Sequence, residues 1–217
     1  TTTLARPVRV GQQHQGDSMR FVIYGAGGIG GTIGARLHIA GFEVLLIARG
    51  AHLDAIQQEG LRFRTPTIDQ RLQIPAVSHP REANITAQDA VIMCMKSQHT
   101  QAALNDLAAC ASDTTPVICC QNGVANERAA LRHFENVYGM VVVLPAEHLN
   151  PGEVVNFAED RAGVLDAGRY PAGADEKITQ VTGALDAAGF GAYPDPAIMR
   201  QKYAKLLGNL NNAVQAA

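Results

Sequence analysis

The chain has 217 residues, of which 47% are hydrophobic and 18% charged, and its formal net charge is −2. That length allows one full domain and part of a second, with the composition of an ordinary soluble globular protein. No long basic run points to nucleic acid, and the longest apolar runs, such as "MVVVLPA", are too short to span a bilayer, so neither a nucleic acid nor a membrane is an expected partner.

Residues 1–18, "TTTLARPVRVGQQHQGDS", carry polar and turn residues without periodicity or an apolar segment, and read as a disordered leader outside the fold. Met19 then opens "RFVIY" (20–24), a buried strand. "GAGGIGG" (25–31) follows it directly and leads into a helix ending at Gly41. "EVLLIA" (43–48) is the second strand and "AHLDAIQQEG" a helix stopped by Gly60. "LRFRT" and "RLQIPAV" flank a turn and form an added hairpin. "AVIMCM" (90–95), the helix "QHTQAALNDLAAC", "PVICCQ" (116–121), the helix "ANERAALRHF" with Asn126 or Asn122 as its cap, and "NVYGMVVVL" continue the alternation. Strand–helix alternation implies a parallel sheet covered on both faces. "GEVVNFA" and "AGVLDAG" lack a helix between them and read as antiparallel strands at the sheet edge. A helix over 175–190 buries Ile178, Val181 and Leu185. A last, long helix starts at Asp195 as N-cap with Pro196 in its first turn.

The fold class is therefore α/β: a Rossmann-type doubly wound parallel sheet over residues 19–194 with added antiparallel edge strands, followed at 195–217 by the first helix of a C-terminal all-α domain.

Three places carry chemistry. In the first, Gly25, Gly27 and Gly30 form G-x-G-x-x-G between a strand and a helix, the context a dinucleotide-binding loop requires. Ala26, Gly28 and Ile29 complete the loop; free N–H groups and the helix dipole there favour phosphate. The second is the end of the second strand, where Arg49 stands instead of an acidic residue. Arginine cannot accept hydrogen bonds from ribose hydroxyls but pairs with a 2′-phosphate, which selects NADP(H) over NAD. The third is at the carboxyl ends of later strands: Lys96 follows the strand 90–95 and Asn122 the strand 116–121, where open parallel sheets place ligands. Lys205, Asn209 and Asn212 share one stripe of the last helix. Asparagine is a poor helix former, so this stripe suggests a site, although a solvated polar face explains the spacing equally well. Met199, Tyr203, Leu206, Leu207, Leu210 and Val214 occupy the other face. The cysteines at 94, 110, 119 and 120 form no C-x-x-C pair and the seven histidines no metal-ligand spacing, which reads as buried thiols in a reducing cytoplasm and no metal.

The segments "GAGGIG", "ARGAHL", "MCMKSQ", "QNGVANE" and "KYAKLLGNLNNA", in this order, resemble the ketopantoate reductases (2-dehydropantoate 2-reductases). The resemblance implies NADPH-dependent reduction of a 2-oxo acid to a 2-hydroxy acid, as in pantothenate biosynthesis, in the cytoplasm. It makes Lys205 the general acid, puts Lys96 at the cofactor mouth, sets Asn122 against cofactor, substrate or lysine, and gives Asn209 the substrate oxygens. Some family members carry a second asparagine eight residues after the lysine; here that position is Ala213, and Asn212 is its substitute one residue earlier. The family also carries a C-terminal helical domain of about a hundred residues that supplies a serine and a glutamate, of which this sequence contains only the first helix. A homodimer stays open. Two other readings compete: a related NADP-dependent 3-hydroxy acid dehydrogenase, which also pairs a helical lysine with an asparagine four residues on, and a non-catalytic NADP(H)-binding module. The "QNG" segment favours the first reading.

Overall fold

The computed structural model describes residues 19–158 and 161–215, with side chains up to Asn209 in the last helix. The proposed leader 1–18 lies outside them.

Seven strands form the main sheet. β1 (Phe21–Tyr24), β2 (Val44–Ile47), β5 (Ala76–Val77), β6 (Ala90–Met93), β7 (Val117–Cys119), β8 (Val137–Met140) and β11 (Ala167–Arg169) stand in the order β11-β8-β7-β6-β1-β2-β5. All neighbours are parallel except β11, which runs antiparallel to β8. From β1 the chain moves one way to β2 and β5, then returns to the other side of β1 as β6. Open α/β sheets bind ligands in the crevice at the strand carboxyl ends beside such a switch.

β1, β2 and β6 are short apolar runs because both faces of the sheet are covered. Phe21, Ile23, Leu46 and Ile92 point to one face, where α1 (Gly28–Ile39) and α5 (Glu176–Ala187) pack. Val22, Leu45, Val91 and Met93 point to the other, with Ala103, Leu104 and Leu107 of α3 (Thr100–Ala108). α2 (Gly50–Glu59) ends at Gly60 with φ +83°, and α1 is followed by Gly41 at φ +89°, so the predicted stops are real left-handed positions.

The hairpin forms as expected, from β3 (Leu61–Arg64) and β4 (Asp69–Leu72). The end of the predicted second arm, however, leaves it: Ala76–Val77 joins the main sheet as β5. The edge prediction is corrected in half. β11 is the antiparallel edge strand, but "GEVVNF" becomes β10 (Glu153–Asn156), which runs parallel to β3 and antiparallel to β9 (Ala146–Glu147) in a separate four-stranded sheet, β4-β3-β10-β9. Alternation marks a strand but not its neighbour, and the hairpin edge at β3 was an open partner. The helix predicted in "ANERAALRHF" is only α4 (Asn126–Ala130), with Ala125 at its N-cap; Asn126 lies inside the helix and caps nothing.

Asp175 caps α5 by accepting the Ile178 N–H at 3.0 Å, and it also accepts from Tyr138 Oη at 3.0 Å and Arg169 Nη1 at 2.8 Å. Burial opposes the charge, but these donors outweigh it and hold the carboxyl below the usual carboxylate range. A carboxyl lowered in this way stabilises the fold fully above its unfolded pKa and loses that contribution as pH falls through the folded value. Asp175→Ala should therefore cost about 1–2 kcal/mol in urea unfolding at neutral pH, and the variant's stability should decline less steeply than the wild type's towards acid.

The last helix, α6 (Ile198–Gln215), is introduced by Asp195, whose carboxylate accepts from Ala197 N at 2.7 Å. The regular helix begins at Ile198, two residues later than Pro196, so Asp195 closes the turn that leads into the helix and is not its N-cap, and Pro196 lies in that turn and not in the helix. α6 lies across the β8 and β11 side of the sheet, with Ile198 and Met199 against Val141.

Candidate active site

The glycine loop spans the switch between β1 and β6. Gly25 has φ +102°, and a Cβ there would lie 2.8 Å from the backbone nitrogen of Met95, so the loop after β1 rests directly on the loop after β6. The N–H groups of Gly25 and Ala26 both reach Ile47 O, at 3.0 and 3.3 Å. A Cβ on Gly30 would overlap Gly25 O and come within 2.9 Å of Cys94 Cβ. A Cβ on Gly27, the N-cap of α1, would meet nothing within 4 Å. The loop is thus tight below and open above, and the first-turn N–H groups of α1 have no intrahelical acceptor. A cradle of this shape fits a pyrophosphate.

The two remaining glycines serve another purpose. A Cβ on Gly28 would meet the Glu147 backbone at 2.9 Å, and one on Gly31 would meet Val154 Cγ1 at 2.7 Å. They make room for β9 and β10 of the second sheet. His52, three residues after Arg49, fixes the loop from behind. Its Nε2–H donates to Ala26 O at 2.8 Å and its Nδ1 accepts from Gly152 N at 2.9 Å, which sets a neutral ring; the His148 ring lies against it, tilted by 49° with centroids 4.0 Å apart. Burial lowers its pKa; the Ala26 hydrogen bond opposes this and His148 adds to it.

Arg49 is exposed at the N-cap of α2, and its guanidinium points across the crevice to His99 Nε2 at 3.5 Å. His99 closes a short 3-10 turn, Ser97–His99, that begins after the exposed Lys96. Two basic side chains therefore face each other over the mouth, and His99 was not singled out in the sequence because nothing in its spacing ties it to Arg49.

Of the three partners the resemblance leaves open for Asn122, the lysine is in contact. Lys205 Nζ donates to Asn122 Oδ1 at 2.8 Å and to Val142 O. Lysine only donates, so the oxygen of Asn122 must face it and the amide Nδ2 is turned away. Burial pulls the Lys205 ammonium below its ordinary value, the Lys202 cation pushes the same way, and Cys120 opposes them. Asn209, one helical turn on, is exposed and borders the same cleft beside Asn122 and Lys205. The side chain of Asn212 lies outside the described residues. Lys96 stands apart from this group.

A buried polar network ties the loops together. Gln121 Nε2 donates to Thr100 Oγ1 at 2.8 Å, and Thr100 Oγ1 donates to Asn126 Oδ1 at 2.9 Å. Asn126 Nδ2 and Ser97 Oγ both donate to Asn122 O, each at 3.2 Å. The "KSQ", "QNG" and "ANE" segments are thus one structure that fixes the backbone of Asn122. Beneath it, Lys202 and Glu127 form a buried ion pair at 2.6 Å. The sequence reading passed over both, because a buried pair leaves no periodic trace.

A doubly wound sheet with a glycine loop at its switch and a helical lysine against a strand-end asparagine defines a dinucleotide-binding α/β domain. Residues 21–169 match the family described as ketopantoate reductase PanE/ApbA. A 2-dehydropantoate 2-reductase from Pyrococcus horikoshii is 31% identical over 88% of the chain and 61% of its own length. The crystal structure of a PanE/ApbA family ketopantoate reductase from Ralstonia eutropha superposes with a TM-score of 0.76 at 30% identity, covering 87% of this chain and 60% of the other. A ternary structure of D-mandelate dehydrogenase with NADH and anilino(oxo)acetate gives 0.77 at 26% identity, covering 86% and 60%. The chain belongs to the ketopantoate reductase PanE/ApbA family. It spans about three fifths of the length of these relatives.

Proposed function

We propose that the protein is an NADPH-dependent reductase of 2-oxo acids, with 2-dehydropantoate as the leading substrate and pantothenate biosynthesis as its place. The observation that carries this reading is the seat of Lys205. An ammonium has three N–H donors. Two are taken by Asn122 Oδ1 and Val142 O, and the third is left for the cleft.

When bound, the cofactor supplies the hydride. Gly27 to Gly30 and the α1 N-terminus bind its pyrophosphate, Arg49 with Lys96 holds the adenosine end, and Asn122 Nδ2 contacts nicotinamide or substrate. Lys205 donates its third proton to the oxo oxygen as negative charge develops there, and its positive charge favours that change. Asn209 orients the acid from the next turn of α6, and Asn212 extends the same row. Only the charged lysine has a proton to spare after its two fixed hydrogen bonds. Activity should therefore hold below the Lys205 pKa and fall as pH rises through it, and because that pKa is lowered the decline begins below the ordinary lysine range.

Among the described residues no helix is long and apolar enough to cross a membrane; a cytoplasmic location and a homodimer are part of this reading. The D-mandelate dehydrogenase neighbour, crystallised with NADH, makes cofactor choice a point to test. Arg49→Ala should raise KM for NADPH about tenfold or more, with KM for NADH nearly unchanged, since one charge-assisted phosphate contact is lost. Equal effects on both cofactors would remove Arg49 from phosphate recognition. The reading as a whole is tested by NADPH oxidation with 2-dehydropantoate and a panel of 2-oxo and 3-oxo acids. Turnover confined to 3-oxo acids, or tight NADPH binding with no turnover, would defeat it.

A further inference from the structure

Lys202 lies one turn before Lys205 on the face of α6 turned to the sheet, and it is 4% exposed. Its ammonium gathers Cys119 O at 3.3 Å and Gln121 O at 2.9 Å, at the end of β7, and Met140 O at 3.1 Å, at the end of β8. Its fourth neighbour is Glu127 Oε1 of α4 at 2.6 Å. Glu127 is fully buried, and its carboxylate meets no other donor among the described residues. Gly139 in β8 leaves the space they need: a Cβ there would sit 3.3 Å from both Glu127 Oε1 and Lys202 Cδ.

Such a pair is a poor choice for stability alone, because well-packed apolar residues of similar volume usually serve as well or better. Its surroundings suggest another role. The carbonyls that Lys202 holds flank Asn122 on one side and lead to Val142 on the other, and those two residues are the acceptors of Lys205.

We propose that the buried Glu127–Lys202 pair is the positioning device of Lys205: Lys202 clamps α6 onto the carboxyl ends of β7 and β8, and Glu127 balances its charge so that a second ammonium can be held one turn away. This rests on Lys205 being the proton donor of the proposed reaction. Among the described residues, the charged and titratable groups around Lys205 are Lys202 on its own helix and Cys120 after β7, with Cys119 and Glu127 behind Lys202. Without Glu127, the three carbonyl oxygens still favour a charged Lys202. Its cation would then act on Lys205 uncompensated, whereas removing both members takes away the repulsion together with its balance.

The test is competitive acetylation of the full chain across pH, read by peptide mass spectrometry, which reports when Lys205 becomes a free amine without relying on turnover. Glu127→Gln should move the Lys205 labelling midpoint to lower pH by about half a unit or more. Glu127→Gln/Lys202→Met should move it above the wild-type position, because the Lys202 cation that lowers it is gone, and the basic limb of kcat should move in parallel in both variants. If Glu127→Gln does not fold, the double variant decides alone: a midpoint above wild type supports the proposal. A Lys205 midpoint unchanged in Glu127→Gln, or unchanged in the double variant when the single one does not fold, would overturn it. If the wild type reduces no oxo acid, the functional reading fails while the labelling still decides whether the pair governs Lys205.

Discussion

Lys205→Met should lower kcat for 2-oxo acid reduction by about two to four orders of magnitude, the range general acid catalysis contributes, while NADPH affinity stays within about twofold. The two effects separate because of where Lys205 sits. Its contacts are to Asn122 Oδ1 and Val142 O, and the glycine loop, His52 and Arg49 are held by other residues. Lys205→Arg should rescue little. A guanidinium keeps the charge but does not give up its proton near neutral pH, and its planar fork does not fit two acceptors arranged for a compact ammonium. Steady-state kinetics with fluorescence titration of NADPH checks both. A Lys205→Met enzyme of undiminished kcat would remove the residue from the chemistry.

Gly30→Ala and Gly27→Ala should differ sharply, although each adds one methyl group three residues from the other. At Gly30 the new Cβ overlaps Gly25 O and presses on Cys94 Cβ and Ile23 Cγ2, both at 2.9 Å. Gly25 cannot move away easily, since its N–H is bonded to Ile47 O. Overpacking of this kind costs about 1–3 kcal/mol or more, so thermal stability and NADPH affinity should fall together. At Gly27 the new Cβ has no protein neighbour within 4 Å, and φ −69° is open to any residue. Stability should stay close to wild type, while NADPH affinity drops about tenfold or more because the methyl group takes up the space the pyrophosphate needs. Thermal melts beside cofactor titrations read both. An equal loss of stability in the two variants would contradict the account of the loop.

These contrasts mark what the sequence could and could not tell. The switch of the sheet and the glycine loop were legible, since each depends on local order and fixed spacing; the meeting of Lys205 with Asn122, 83 residues apart, was only one of three contacts the family resemblance implied for Asn122. Gly28 and Gly31 were not legible, because their neighbours Glu147 and Val154 lie more than a hundred residues away. The sequence left open which face of the last helix meets the sheet. Tyr203 and Leu207 of its apolar face are 54% and 68% exposed, and Lys202 is buried. Amphipathic patterning assumes that apolar groups face the core. Here the surface α6 meets is a row of strand-end carbonyls, Cys119, Gln121, Met140 and Val142, and a row of acceptors is best matched by ammonium groups. The same reasoning explains the network behind Asn122. Ser97, Gln121 and Asn126 were inside segments that carried the resemblance, and Thr100 follows one of them by two residues, but their mutual hydrogen bonds join three loops and have no signature in any one of them.

The central claim is that the cleft beside Lys205 directs a hydride from a nicotinamide to the carbon bearing the oxo group of a 2-oxo acid. Its most direct test uses NADPH deuterated at the transferable nicotinamide position, with 2-dehydropantoate and the full chain, and reads the product by NMR. The account predicts one deuterium on the carbon that becomes the hydroxyl carbon, formed at a rate that collapses in Lys205→Met. A product without deuterium there, or bound NADPH that is never consumed, would contradict it.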